Sequence, residues 1–79
     1  MRIDWSRIIN DILRSDSSMT FERIARRIGI SKTSVIRMRS FDIEPKYSTG
    51  VALIEQWRKS INHPNATPPT LFNRRKNHV

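Results

Sequence analysis

The sequence predicts an all-α fold: a small domain of four to five helices over residues 1–62, followed by an extended, Pro-rich and basic C-terminal arm over residues 63–79. Two observations predict it. Apolar residues recur with the period of a helix face in separate short stretches, and each stretch is bounded by residues that start or stop helices. From Asn62 onward that periodicity ends, and three of the four prolines fall between Asn62 and Thr70.

The first stretch runs from about Trp5 to Arg14 behind Asp4, a good N-cap. Trp5, Ile8, Ile9, Ile12 and Leu13 follow the i, i+3, i+4, i+7, i+8 template and make one apolar stripe. Arg7, Asn10, Asp11 and Arg14 lie on its other side. This is a core-forming helix, and Trp5 reads as a core anchor. Ser15-Asp16-Ser17-Ser18 is a polar connection.

Residues 20–41 read as two helices broken at Gly29. Phe21, Ile24, Ala25 and Ile28 form the apolar face of the first. Thr20 caps it, and Met19 is placed to pack on Ile24 as a hydrophobic staple. Gly29 stands where a helix C-terminus favours a left-handed residue. Ser31 caps the second helix, whose inward residues are Val35 and Met38. Ala25, a glycine four residues later and branched Val35 six after that make a helix-turn-helix pattern: alanine allows a close crossing, glycine the sharp turn, and valine fills the angle.

After the Asp42-Ile43-Glu44-Pro45-Lys46 loop, a further helix begins near Tyr47 or Ser48 and runs to about Ile61. Tyr47, Val51, Leu53, Ile54, Trp57 and Ile61 span roughly 160° of its wheel. Gly50 within the stripe predicts close approach of another helix. The stripe is wide for so small a domain. Leu53 and Trp57 are therefore candidates for a subunit interface, the alternative being a core that uses the whole stripe. The arm is expected to be mobile, with Leu71 and Phe72 available to dock on a partner subunit.

Composition narrows the function classes. With 79 residues the core is small, and there is no cysteine for a disulfide or thiolate metal site. His63 and His78 have no ligand spacing, so no metal site is expected. No carboxylate pair, nucleophile–base set or glycine-rich phosphate loop indicates an enzyme, a cofactor or a small-molecule ligand. Neither a signal peptide nor a membrane span is visible, so the expected location is cytoplasmic.

The net charge of +8 is unevenly placed. Residues 20–41 hold six basic side chains against Glu22 alone, and residues 61–79 add Arg74, Arg75 and Lys76 with no carboxylate. The remaining segments are balanced. That segregation suits a polyanion contacted at defined places.

On these residues, positions 4–61 resemble the lambda-repressor/Cro-like helix-turn-helix family of phage and bacterial regulators. The resemblance rests on the 20–41 element, the amphipathic helix before it and the Pro45-Lys46-Tyr47-Ser48-Thr49-Gly50 lead into the next helix. It implies a homodimer on a palindromic operator, with the second helix of the pair in the major groove. Bases would be touched by Lys32 and Thr33, with Ile36 and Arg37 one turn on. The family often has Gln at the start of the first helix of the pair. Phe21 stands there in this chain, so phosphate clamping would fall to Thr20 or to backbone amides.

The outward face of the second helix suits that chemistry. Lys32 and Arg37 can donate to guanine O6 and N7, Thr33 can bond a base or a phosphate, and Ile36 can pack on a thymine methyl. If Ile36 reached the core edge near Phe41, it would have no such role. Thr20, Arg23, Arg26, Arg27, Ser31, Arg39, Arg74, Arg75 and Lys76 are assigned to phosphates. The expected function is a sequence-specific regulator of transcription, a repressor of phage or mobile-element type. The alternatives are a protein-binding adaptor or inhibitor built on the same fold, and the DNA-binding domain of a recombinase or transposase.

Overall fold

A computed structural model describes residues 2–71. Within them the chain forms four helices: α1 (Trp5–Ser15), α2 (Phe21–Ile28), α3 (Lys32–Arg39) and α4 (Tyr47–Ile61). Local cap chemistry sets most of the boundaries. The Asp4 carboxylate accepts from the Arg7 N–H at 3.0 Å, Thr20 Oγ1 from the Arg23 N–H at 3.2 Å, and Ser31 Oγ from the Ser34 N–H at 3.1 Å. Each bond satisfies a first-turn donor with no partner inside the helix. Gly29 ends α2 at φ +86°, donating its N–H to the Ala25 carbonyl, and Asn62 ends α4 in the same left-handed region. Phe41, just past α3, also has a positive φ, an uncommon conformation for a side chain of its size.

Packing joins the four helices around one core. α1 lies along α4 and also against α3, while α2 packs on α3 and touches α4. Ile8, Ile9 and Ile12 of α1, Ile24 of α2, Val35 and Met38 of α3 and Leu53 of α4 are essentially sealed from water. Met19 is buried in the same cluster as Ile24, as expected of a staple residue. Gly50 marks the close crossing expected from the sequence: a Cβ there would lie 3.0 Å from Trp5 Cη2.

Leu53 and Trp57 are 0% and 5% exposed, which removes them as subunit-interface residues. Their faces are consumed inside one chain. Trp57 also donates its indole N–H to Asp11 Oδ2 across the α1–α4 contact at 3.0 Å. Asp11 is thus not merely a solvent-facing residue of α1, for it also accepts from Arg14 at 3.2 Å and has Arg7 3.9 Å away. Tyr47 departs from the expected stripe in the other direction, being 88% exposed at the first position of α4.

The part of the arm within the described residues is held rather than mobile. Arg58 Nε donates to the Ala66 carbonyl at 2.9 Å, and the Asp4 N–H donates to the Pro69 carbonyl at 2.8 Å. The Leu71 N–H then reaches the Arg2 carbonyl at 2.7 Å, making an antiparallel bridge at Ile3 and Thr70. Proline lacks a donor but keeps its carbonyl, so a Pro-rich strand can still satisfy the chain leading into α1. Phe72, Arg74, Arg75 and Lys76 lie outside the described residues.

Two stability measurements check this packing. Asp11→Ala leaves the Trp57 indole N–H without its partner and should cost about 1–3 kcal/mol in thermal unfolding. Trp57→Phe should cost less in the Asp11→Ala background than in the unmutated chain, because the indole N–H it removes is by then already unpaired. Truncation after Asn65 removes the bonds at Ala66, Pro69 and Leu71. It should lower the denaturant midpoint by the equivalent of roughly 1–3 kcal/mol, where a free arm would leave it unchanged.

Candidate nucleic-acid interface

The surface of interest is the outward side of α2 and α3. Its orientation follows from which residues turn inward. α3 has only two buried side chains, Val35 and Met38, three positions apart. On a helix of 3.6 residues per turn that pair fixes the opposite face. Lys32, Thr33, Ile36 and Arg37 are all exposed on it, so the four residues expected to read bases share one surface. Ile36, at 37% exposure, is an apolar side chain accessible in the middle of that polar face.

Arg26 and Arg27 are exposed on α2, and Arg39 at the end of α3. Among the described residues the ion pairs are Arg2–Glu44, Arg7–Asp11 and Arg14–Asp11. None involves a cation of α2 or α3. Glu22, the one carboxylate of the pair, forms no salt bridge among the described residues. The positive charge of this surface is therefore not neutralised by the ion pairs of the fold.

Several expected phosphate contacts have local duties as well. Thr20 Oγ1 and Ser31 Oγ accept the capping N–H groups, and Ser31 Oγ also lies 2.9 Å from Ser34 Oγ. The Arg23 guanidinium donates to the Ser18 carbonyl at 3.1 Å, drawing it toward the α1–α2 connection. There the Ser18 N–H, and then its hydroxyl, bond the Asp16 carboxylate and hold it below its ordinary pKa; Arg23 and Arg27 add smaller pulls in the same direction. Arg39 places its guanidinium carbon 5.3 Å from the centroid of the Phe21 ring. Sequence reasoning missed that contact, because nothing local to either residue signals it.

No family model, no curated protein and no solved structure matches this chain. The chemistry of the surface must carry the reading. What it offers is a row of cationic and hydroxyl donors with one apolar side chain among them, on a short helix backed by a rigid core. Among the described residues, no cluster of three histidine, cysteine or acidic side chains could hold a metal ion, and no helix is long and apolar enough to cross a membrane.

The assignment of Ile36 to the surface is open to a direct check. Ile36→Gln should change stability by no more than about 0.5 kcal/mol, as at other exposed positions. Val35→Gln, one residue earlier, should unfold the domain or cost several kcal/mol by burying an unpaired amide. Equal losses at the two positions in thermal melts would mean that Ile36 belongs to the core.

Proposed function

We propose that this chain is a sequence-specific double-stranded DNA-binding regulator of the lambda-repressor/Cro-like helix-turn-helix type, acting as a homodimer on a palindromic site. The observation that carries the reading is the unneutralised face of α2 and α3, where exposed cations and hydroxyls surround a solvent-accessible isoleucine. A merely soluble surface has no use for Ile36, whereas a thymine methyl has a natural partner in it. An adaptor that binds protein has no need of charge concentrated on this side.

In this reading α3 enters the major groove by its N-terminal end. Lys32 and Thr33 meet the first base pairs, and Arg37 donates to guanine O6 and N7 through both arms of its guanidinium. Ile36 excludes water beside a thymine. Arg26, Arg27 and Arg39 contact phosphates, setting register without reading sequence. Arg23 spends one of its five donors on the Ser18 carbonyl and can join them through the others. With Leu53 and Trp57 consumed by the core, the homodimer of this reading turns to the apolar side chains that α4 leaves exposed, Tyr47 and Val51. A repressor of phage or mobile-element type is the regulator this arrangement suits best.

Duplex binding should weaken steeply with salt. If the dimer neutralises about six to eight phosphates, the log–log slope is roughly −5 to −7. On the preferred site Arg37→Ala should cost about 1–3 kcal/mol and relax the preference at one base pair per half-site. Arg26→Ala should weaken chosen and random duplexes alike. Binding assays over a salt series, with sites selected from random duplex DNA, measure all three. A flat salt dependence, or a sequence preference untouched by Lys32, Thr33 and Arg37 substitutions, is incompatible with this mechanism.

A further inference from the structure

We infer that Phe21 is a positioning residue for DNA binding, holding Arg39 as a phosphate donor at the N-terminal end of α2. The inference rests on the DNA reading above and names how one of its contacts is built. Arg39 sits at the last position of α3 and Phe21 at the first of α2, so the contact spans the two helices of the pair. The guanidinium carbon lies 5.3 Å from the ring centroid, within the range of a cation–π interaction. Phe21 is half-buried against the core, which anchors its ring, while Arg39 is exposed.

Side chains on a helix lean back toward its N-terminus, so the Phe21 ring covers the start of α2 and carries Arg39 there with it. The contact with the ring occupies one side of the guanidinium. With five N–H donors, Arg39 keeps some directed away from the ring, and no ion pair among the described residues uses them. The N–H groups of Phe21 and Glu22 lack partners within α2 because they precede its first full turn. A phosphate oxygen at this point would meet a guanidinium held against an aromatic ring, beside the positive end of a helix. Thr20, the side chain expected to clamp here, already serves the Arg23 N–H. The aromatic ring thus supplies, through its cation–π contact with Arg39, what a polar side chain at the start of α2 would supply by direct hydrogen bonding.

The test is a double-mutant cycle on the full chain, read as affinity for a short random-sequence duplex over a salt series. Arg39→Ala should weaken binding of every duplex and reduce the salt slope by about 1 per protomer. Phe21→Leu keeps an apolar side chain at the core edge but loses the π face, and should weaken binding about 2- to 5-fold. It should cost nothing further in the Arg39→Ala background, and Phe21→Tyr should retain full affinity. An equal loss from Phe21→Leu in both backgrounds overturns the inference, since Phe21 would then act through packing alone. If Phe21→Leu does not fold, the Arg39 side-chain proton resonances of the unmutated chain decide. Upfield ring-current shifts that persist in the duplex complex support the contact, and random-coil positions in the complex overturn it. Failure of the unmutated chain to bind any duplex at low salt overturns the DNA reading and this inference together, whereas binding without coupling overturns this inference alone.

Discussion

The inward register of α3 is the constraint on which the rest depends. An eight-residue helix is too short to persist alone in water, so it exists by what it buries. Val35 and Met38 are that burial, each contributing about 1.5–3 kcal/mol by removal from water. They seat against α1 and α2, and rotating α3 by one residue would expose one of them and draw a cation or hydroxyl inward. The outward set of Lys32, Thr33, Ile36 and Arg37 is thus a consequence of core packing. Gly29 makes the geometry attainable by turning the chain left-handed within three residues of the next cap. Ala25, nearly sealed, keeps α2 close to α3.

Behind that pair, α1 and α4 form a rigid backing. Their crossing is close at Gly50, where a Cβ would crowd Trp5, and is tied by the Trp57–Asp11 hydrogen bond. The segment from Ala66 to Leu71 then closes over the start of α1. Such reinforcement matters in a domain of this size, where apolar burial alone leaves a small margin over conformational entropy. A surface that meets a stiff polyanion gains from side chains already oriented, and a firm backing keeps that orientation inexpensive.

What was legible in the sequence was local. Asp4, Thr20 and Ser31 act within three residues of themselves, and Gly29 within four, so helix starts and the turn could be read from cap chemistry. Val35 and Met38 set the exposed face by spacing alone. What was not legible joins positions far apart. Asp11 reads as a solvent-facing acid because its Trp57 partner is 46 residues away. The apolar stripe of α4 announced burial without saying against what, and Leu53 and Trp57 proved to be filled from within the chain. Tyr47 fell outside that contact: at the first position of α4 its side chain is 88% exposed. The arm looked free because its prolines carry no periodicity, yet its acceptors are backbone carbonyls, which no side-chain pattern reveals.

The central claim is that the outward face of α3 is the surface that meets duplex DNA. Amide nitrogen–proton NMR spectra recorded while duplex is added at low salt test it most directly. The account predicts that the largest shifts fall on the N–H groups of Thr20 to Glu22 and Ser31 to Arg37, with the buried stretch from Leu53 to Trp57 nearly unmoved. Shifts centred on α4 or on the 66–71 segment, with α3 unchanged, would contradict it.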